Sequence, residues 1–162
     1  MKWTAILLLA VFSLSSCQAQ NNSSKKLVSD TMSKKDNPYF AKGEKGKLTV
    51  KDSEWKKVLS SDLYEVARHA ETERAFTGKY YEFDVKGTYY CAACGNALFR
   101  SDSKFSTTCG WPSFYEPIRT NSVLYKEDLS YGMTRTEVLC GRCDAHLGHV
   151  FDDGPNPTGK RF

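Results

Sequence analysis

The sequence predicts an α+β domain that is mainly β. Two antiparallel sheets should form a sandwich or barrel-like core, with short N-terminal helices and a pair of cysteine knuckles suited to one structural zinc. Three observations predict it. Helical periodicity is confined to residues 52–70. Beyond Thr77-Gly78 the chain turns to short β-rich runs separated by turn residues. Finally, Cys91-Ala92-Ala93-Cys94 and Cys140-Gly141-Arg142-Cys143 each follow a strand-like segment. The 162 residues suffice for one domain, 47–162. A hydrophobic share of 40% supplies a core, and 26% charged residues argue against a membrane bundle. The net charge of +4 is mild and reads as lysine-rich solvated surface, so no nucleic-acid partner is expected.

In chain order, Lys2 precedes an apolar run from Ala5 to Phe12, too short to span a bilayer and typical of a signal peptide. Leu14-Ser15-Ser16-Cys17 resembles a bacterial lipoprotein signal, with small residues before a cysteine that is lipidated. The expectation is a signal over 1–17 and lipidation at Cys17. The protein would then be exported and held to a bacterial membrane only through its lipid. An ordinary secretory signal with an incidental Cys17 is the alternative. Residues 18–46 are largely polar and are expected to form a flexible tether. Asp52–Leu59 and Asp62–Ala70 have helical character, with Ser60 or Ser61 as a cap and Leu63, Val66 and Ala67 as an apolar face. Tyr80–Val85 alternates and reads as a strand, as do Thr88–Tyr90, Ala97–Phe99, Val123–Tyr125 and Thr134–Leu139.

The sequence has six cysteines. Two Cys-x-x-Cys pairs can bring four thiolates onto one tetrahedral zinc, a closed shell with no position left for substrate. The 45 residues between the pairs exceed a compact zinc ribbon, so the fold must unite them. Disulfides or a redox pair are the alternatives, and an exported compartment favours them. Cys109 stands apart, before Gly110-Trp111-Pro112. A lone cysteine is commonly a small buried hydrophobe. His146 and His149 read as core histidines, as extra metal ligands, or as acid/base groups. Trp111 is either core or an apolar wall for a ligand. Asp153 and Arg161 read as a surface ion pair or as charges around a reacting group.

Taken in order, Cys109-Gly110-Trp111-Pro112-Ser113-Phe114, His146-Leu147-Gly148-His149-Val150-Phe151, Asp152-Asp153-Gly154-Pro155 and Thr158-Gly159-Lys160-Arg161-Phe162 resemble the methionine-R-sulfoxide reductases of the B type. The resemblance covers residues 55–162, departing at Asp152, where relatives carry proline, and at Thr107-Thr108. It implies a structural zinc on the four knuckle cysteines. It also implies a substrate pocket with Trp111 and Phe114, and catalytic roles for Cys109 (resolving thiol), His146, His149, Asp153 and Arg161. A nucleophilic cysteine or selenocysteine directly follows the Gly-x-Arg-aromatic segment, hence position 163. The expected chemistry repairs oxidised protein substrates and is reset by a thioredoxin-like reductant, on a monomer. The 162 residues alone are expected not to turn over, lacking that residue and a last strand, and a selenocysteine codon read as a stop is the favoured explanation. The rivals are an inactive zinc-ribbon-type binding module and a non-catalytic binder of oxidised methionine.

Overall fold

The computed structural model describes residues 37–162. The signal over 1–17, Cys17 and the tether as far as residue 36 lie outside the described residues. The rest of the segment expected as tether is docked. The Asn37 side chain donates to the Ala93 carbonyl at 2.9 Å. The amides of Ala41, Gly43 and Leu48 donate to the carbonyls of Cys94, Gly95 and Arg142 at 3.1, 2.8 and 2.7 Å. These backbone bonds satisfy the outer carbonyls of both knuckles. Polar composition suggested free chain, but backbone donors can order such a segment whatever its side chains.

Helix α1 (Asp52–Val58) buries Trp55 against the edge of Tyr39, ring centroids 5.2 Å apart. Helix α2 (Ser61–His69) starts where the Ser60 hydroxyl accepts from the Leu63 amide at 3.4 Å and ends at left-handed Ala70. Its buried residues are Tyr64 and Ala67. Leu63 and Val66, expected on that face, are only half-buried. Tyr64 goes inward because its hydroxyl donates to the Asp52 carboxylate on α1, which relieves the cost of burying it.

The strands are β1 (Thr88–Tyr90), β2 (Ala97–Arg100), β3 (Lys104–Phe105), β4 (Ser113–Phe114), β5 (Val123–Asp128), β6 (Arg135–Cys140) and β7 (His146–Val150). The expected β-rich architecture is present. Among the described residues it comprises three antiparallel sheets, β1-β2, β3-β4 and β5-β6-β7. Tyr80–Val85 is not a strand, despite its alternation. Among the described residues none pairs with it as a ladder; instead Tyr80 and Phe83 turn their rings onto Tyr89 at 5.4 and 6.4 Å.

Two details place the site. In β7, His146 lies opposite Leu139, Gly148 opposite Val138 and His149 opposite Glu137, so Leu147 is the extra residue of a β-bulge. Gly148 supports it with φ of +136°, a conformation that side-chain-bearing residues rarely adopt. The second detail is the segment Arg161–Phe162. Arg161 exchanges both backbone bonds with Phe151 just past β7, each 2.9 Å, and Phe162 exchanges both with Phe114 of β4, at 2.8 and 3.0 Å. This segment therefore bridges the β3-β4 ribbon to the three-stranded sheet. Phe162 points into the core beside Phe99 and Tyr125, while Phe99 stacks on Phe114 at 4.4 Å.

Candidate functional site

The two knuckles repeat one backbone pattern. Cys91 N–H donates to the Asn96 carbonyl and Cys140 N–H to the Ala145 carbonyl, both at 2.8 Å. Gly95 N–H and Asp144 N–H close the turns onto the carbonyls of Cys91 and Cys140, and both residues are left-handed, with φ of 79° and 59°. The fold brings the four sulfurs within 4.8 Å of one another, all buried. Cys91 and Cys143 are 3.8 Å apart, Cys94 and Cys140 3.7 Å. A disulfide needs about 2.05 Å, and none is formed. A tetrahedral tetrathiolate with metal–sulfur bonds of about 2.3 Å has edges of about 3.8 Å. The cluster fits a metal ion. In this buried group the neighbouring thiols of Cys140, Cys143 and Cys94, together with burial, push the Cys91 thiol well up, so a cation among the four sulfurs would favour their thiolate forms.

Cys109 is on a loop anchored to the segment between α2 and β1. The Phe76 amide donates to the Gly110 carbonyl at 2.8 Å, and the Trp111 indole N–H donates to the Glu73 carbonyl at 2.8 Å. With its nitrogen committed and 37% of its surface exposed, Trp111 offers an aromatic face at the surface rather than core packing. Phe114, paired with it in the sequence reading, is instead buried under the sheet. It lies one residue along from the site's Ser113, and side chains alternate across a strand. The Cys109 sulfur lies 3.0 Å from Thr107 Oγ1 and 3.5 Å from Ser113 Oγ. Burial opposes ionisation of this thiol, but the hydroxyls of Thr107 and Ser113, and the charge of Arg161, outweigh it and bring the thiol below its ordinary value.

Arg161 forks onto Asp153, Nε to Oδ1 at 2.8 Å and Nη2 to Oδ2 at 2.9 Å, and its guanidinium lies 4.3 Å over the Phe151 ring. The fork holds the Asp153 carboxyl below its usual range. Asp153 is therefore held as an anion against Arg161.

Alternation alone would send residues three apart on a strand to opposite faces. The β7 bulge instead brings His146 and His149 to one face, ring centroids 5.6 Å apart. His146 Nδ1 is 2.7 Å from Glu137 Oε1, and His149 Nε2 is 2.8 Å from Asp128 Oδ2. Neither imidazole joins the four-sulfur cluster. Sequence reasoning missed both carboxylates and Arg135, which donates to Asp128 at 2.6 Å. The alternation of Arg135, Glu137 and Leu139 on one β6 face was the available signal.

Comparison with known proteins supplies the context. A SelR domain profile matches residues 59–162. A peptide methionine sulfoxide reductase MsrB of Acinetobacter baylyi is 52% identical over 117 residues, covering 72% of this chain and 84% of the relative. The MsrB of Methanosarcina barkeri is 57% identical over 111 residues, covering 68% and 78%. That of Leptospira interrogans is 53% identical over 111 residues, covering 68% and 85%.

Proposed function

The chain belongs to the peptide methionine sulfoxide reductase B family, and from that membership we propose that it reduces methionine-R-sulfoxide in oxidised proteins, through a cysteine or selenocysteine at the position that follows Phe162. The supporting observation is the register of Arg161 and Phe162. Arg161 bonds to the β7 side and Phe162 to the β4 side. Carried one residue further, the same alternation brings the next position opposite His149 on one side and Ser113 on the other. Its side chain would share a face with Arg161, and Cys109 would be close by through Ser113.

On this reading the thiolate or selenolate, stabilised by Arg161, attacks the sulfoxide sulfur. His149 delivers a proton to the departing oxygen. The new bond from the enzyme to the substrate sulfur forms as the sulfur–oxygen bond breaks and hydroxide departs. That hydroxide then attacks the enzyme's sulfur or selenium, methionine leaves with the electron pair of the bond to it, and the enzyme is left as a sulfenic or selenenic acid. The Cys109 thiol condenses with it, releasing water and forming a disulfide or selenenylsulfide. A thioredoxin-like dithiol then exchanges with that bond. Trp111 packs on the substrate S-methyl group. Cys91, Cys94, Cys140 and Cys143 hold a zinc ion whose contribution is structural, since four protein ligands close its shell. Lipidation at Cys17 would tether the enzyme outside the cytoplasm.

The test is a chain carrying cysteine at position 163 and the residues beyond, assayed with dithiothreitol on peptides containing either sulfoxide diastereomer. Reduction of the R form alone is expected. Bound zinc with neither form reduced would overturn the reading in favour of a binding module.

A further inference from the structure

We propose that Asp128 is a positioning residue for the reaction described above: it holds Nε2 of His149 and so makes Nδ1 the nitrogen that faces the sulfoxide oxygen. The inference rests on the reading of His149 as the proton donor and adds the group that orients it.

Asp128 closes β5, and each of its oxygens is engaged. Oδ1 accepts from the Ser130 amide at 2.9 Å, which fixes the carboxylate at the start of the turn into β6. Oδ2 accepts from Arg135 Nη2 at 2.6 Å and lies 2.8 Å from His149 Nε2. Asp128 and Arg135 are register partners, so the β5-β6 ladder itself brings these two side chains together. Arg135 Nη2 also reaches the Ser130 hydroxyl at 3.0 Å. The bonds from Ser130, His149 and Arg135 hold the Asp128 carboxyl well below the usual range, so it is an acceptor only. An acceptor-only oxygen against Nε2 requires a proton on Nε2. The proton that leaves is then the one on Nδ1, and Asp128 remains ionised throughout.

His146 has the opposite anchorage. It is Nδ1 of His146 that meets Glu137, whose second oxygen is 3.4 Å from Lys126. The two imidazoles are thus pinned through different nitrogens, which a common packing role for the pair would not require. The charged groups around His149 come from several elements: Asp128 on β5, Arg135 and Glu137 on β6, His146 on β7, and the Arg161–Asp153 fork beyond Phe151. On α2, which packs against β7, Arg68 is bonded to Asp52 and the Cys143 carbonyl. Arg135 shares Oδ2 with the imidazole, so it moderates the hold of the carboxylate on an imidazolium that must give up a proton.

The experiment compares the full chain carrying cysteine at position 163 with its Asp128→Asn and Arg135→Gln variants. Histidine ring carbons and nitrogens are labelled; the sequence has three histidines, so assignment is simple. In the parent and in Arg135→Gln, neutral His149 should carry its proton on Nε2, read from the ring nitrogen and carbon shifts, because the Asp128 oxygen accepts from it. In Asp128→Asn that tautomer should lose its dominance, and kcat should fall while KM changes little. An Nδ1–H form of His149 in the parent, or an Asp128→Asn variant that keeps both the Nε2–H tautomer and the parent kcat, would overturn the proposal. If Asp128→Asn does not fold, the tautomer in the parent and in Arg135→Gln decides. A parent protein that binds zinc but reduces nothing would instead sink the functional reading.

Discussion

Cys109 shows how a surface loop can tune one thiol. Two hydroxyls within 3.5 Å and a nearby guanidinium work against partial burial, and the thiol is brought below its ordinary range. A structural cysteine needs no such surroundings. On the proposed mechanism its role begins after methionine has left. Cys109→Ser, in a chain with cysteine at position 163, should therefore release one methionine per chain and then stop when a thioredoxin-like protein is the only reductant. Rapid-quench product counting checks this, and sustained turnover at the parent rate would remove Cys109 from the cycle. At this scale the candidate site residues were legible in the sequence, since the Cys109–Phe114 and His146–Phe151 motifs are contiguous. It did not show their partners. Asp128, Arg135 and Glu137 meet the histidines only through cross-strand register, which a local reading cannot supply.

At the scale of elements, the β7 bulge decides whether the site exists. Without it, one of the two histidines would face the wrong side of the sheet. Gly148 carries the bulge with φ of +136° and has open space where a Cβ would stand, so a substitution there meets backbone strain and no steric clash. Gly148→Ala should cost about 1–3 kcal/mol, read as a lower urea midpoint with an unchanged m-value. Activity should fall further than that loss of stability explains, because His149 shifts in register. If the midpoint falls and specific activity does not, the bulge serves folding alone. The helices and the strands around Thr88, Ala97, Val123 and Arg135 were legible because their periodicity is local. β7 was not, because a glycine and an extra residue break its alternation. Tyr80–Val85 has the alternation without a ladder partner, and its aromatic rings cluster on Tyr89 instead.

For the whole molecule, the four-sulfur cluster joins segments that are distant in the chain. The first knuckle enters the β1-β2 ribbon, and the second joins β6 to β7, the strand that carries both histidines. Residues 37–48 lie across both knuckles. An ion at the cluster would thus tie the N-terminal docking segment, the first ribbon and the sheet that carries both histidines at one point. Structural zinc contributes an apparent ~10 kcal/mol or more in small zinc-dependent domains, comparable to the total stability of a typical domain. Stripping the metal with a strong chelator should therefore abolish the cooperative thermal transition and release about one zinc per chain. Of the five cysteines in residues 37–162, Cys109 alone should meet a thiol reagent rapidly in the loaded protein, and Cys109→Ser should remove that one equivalent. The four buried knuckle thiols should react only once the metal is gone. A chain that keeps its melting transition without metal would mean that packing around Trp55, Val123 and Val138 suffices, and the cluster would then lose its structural role.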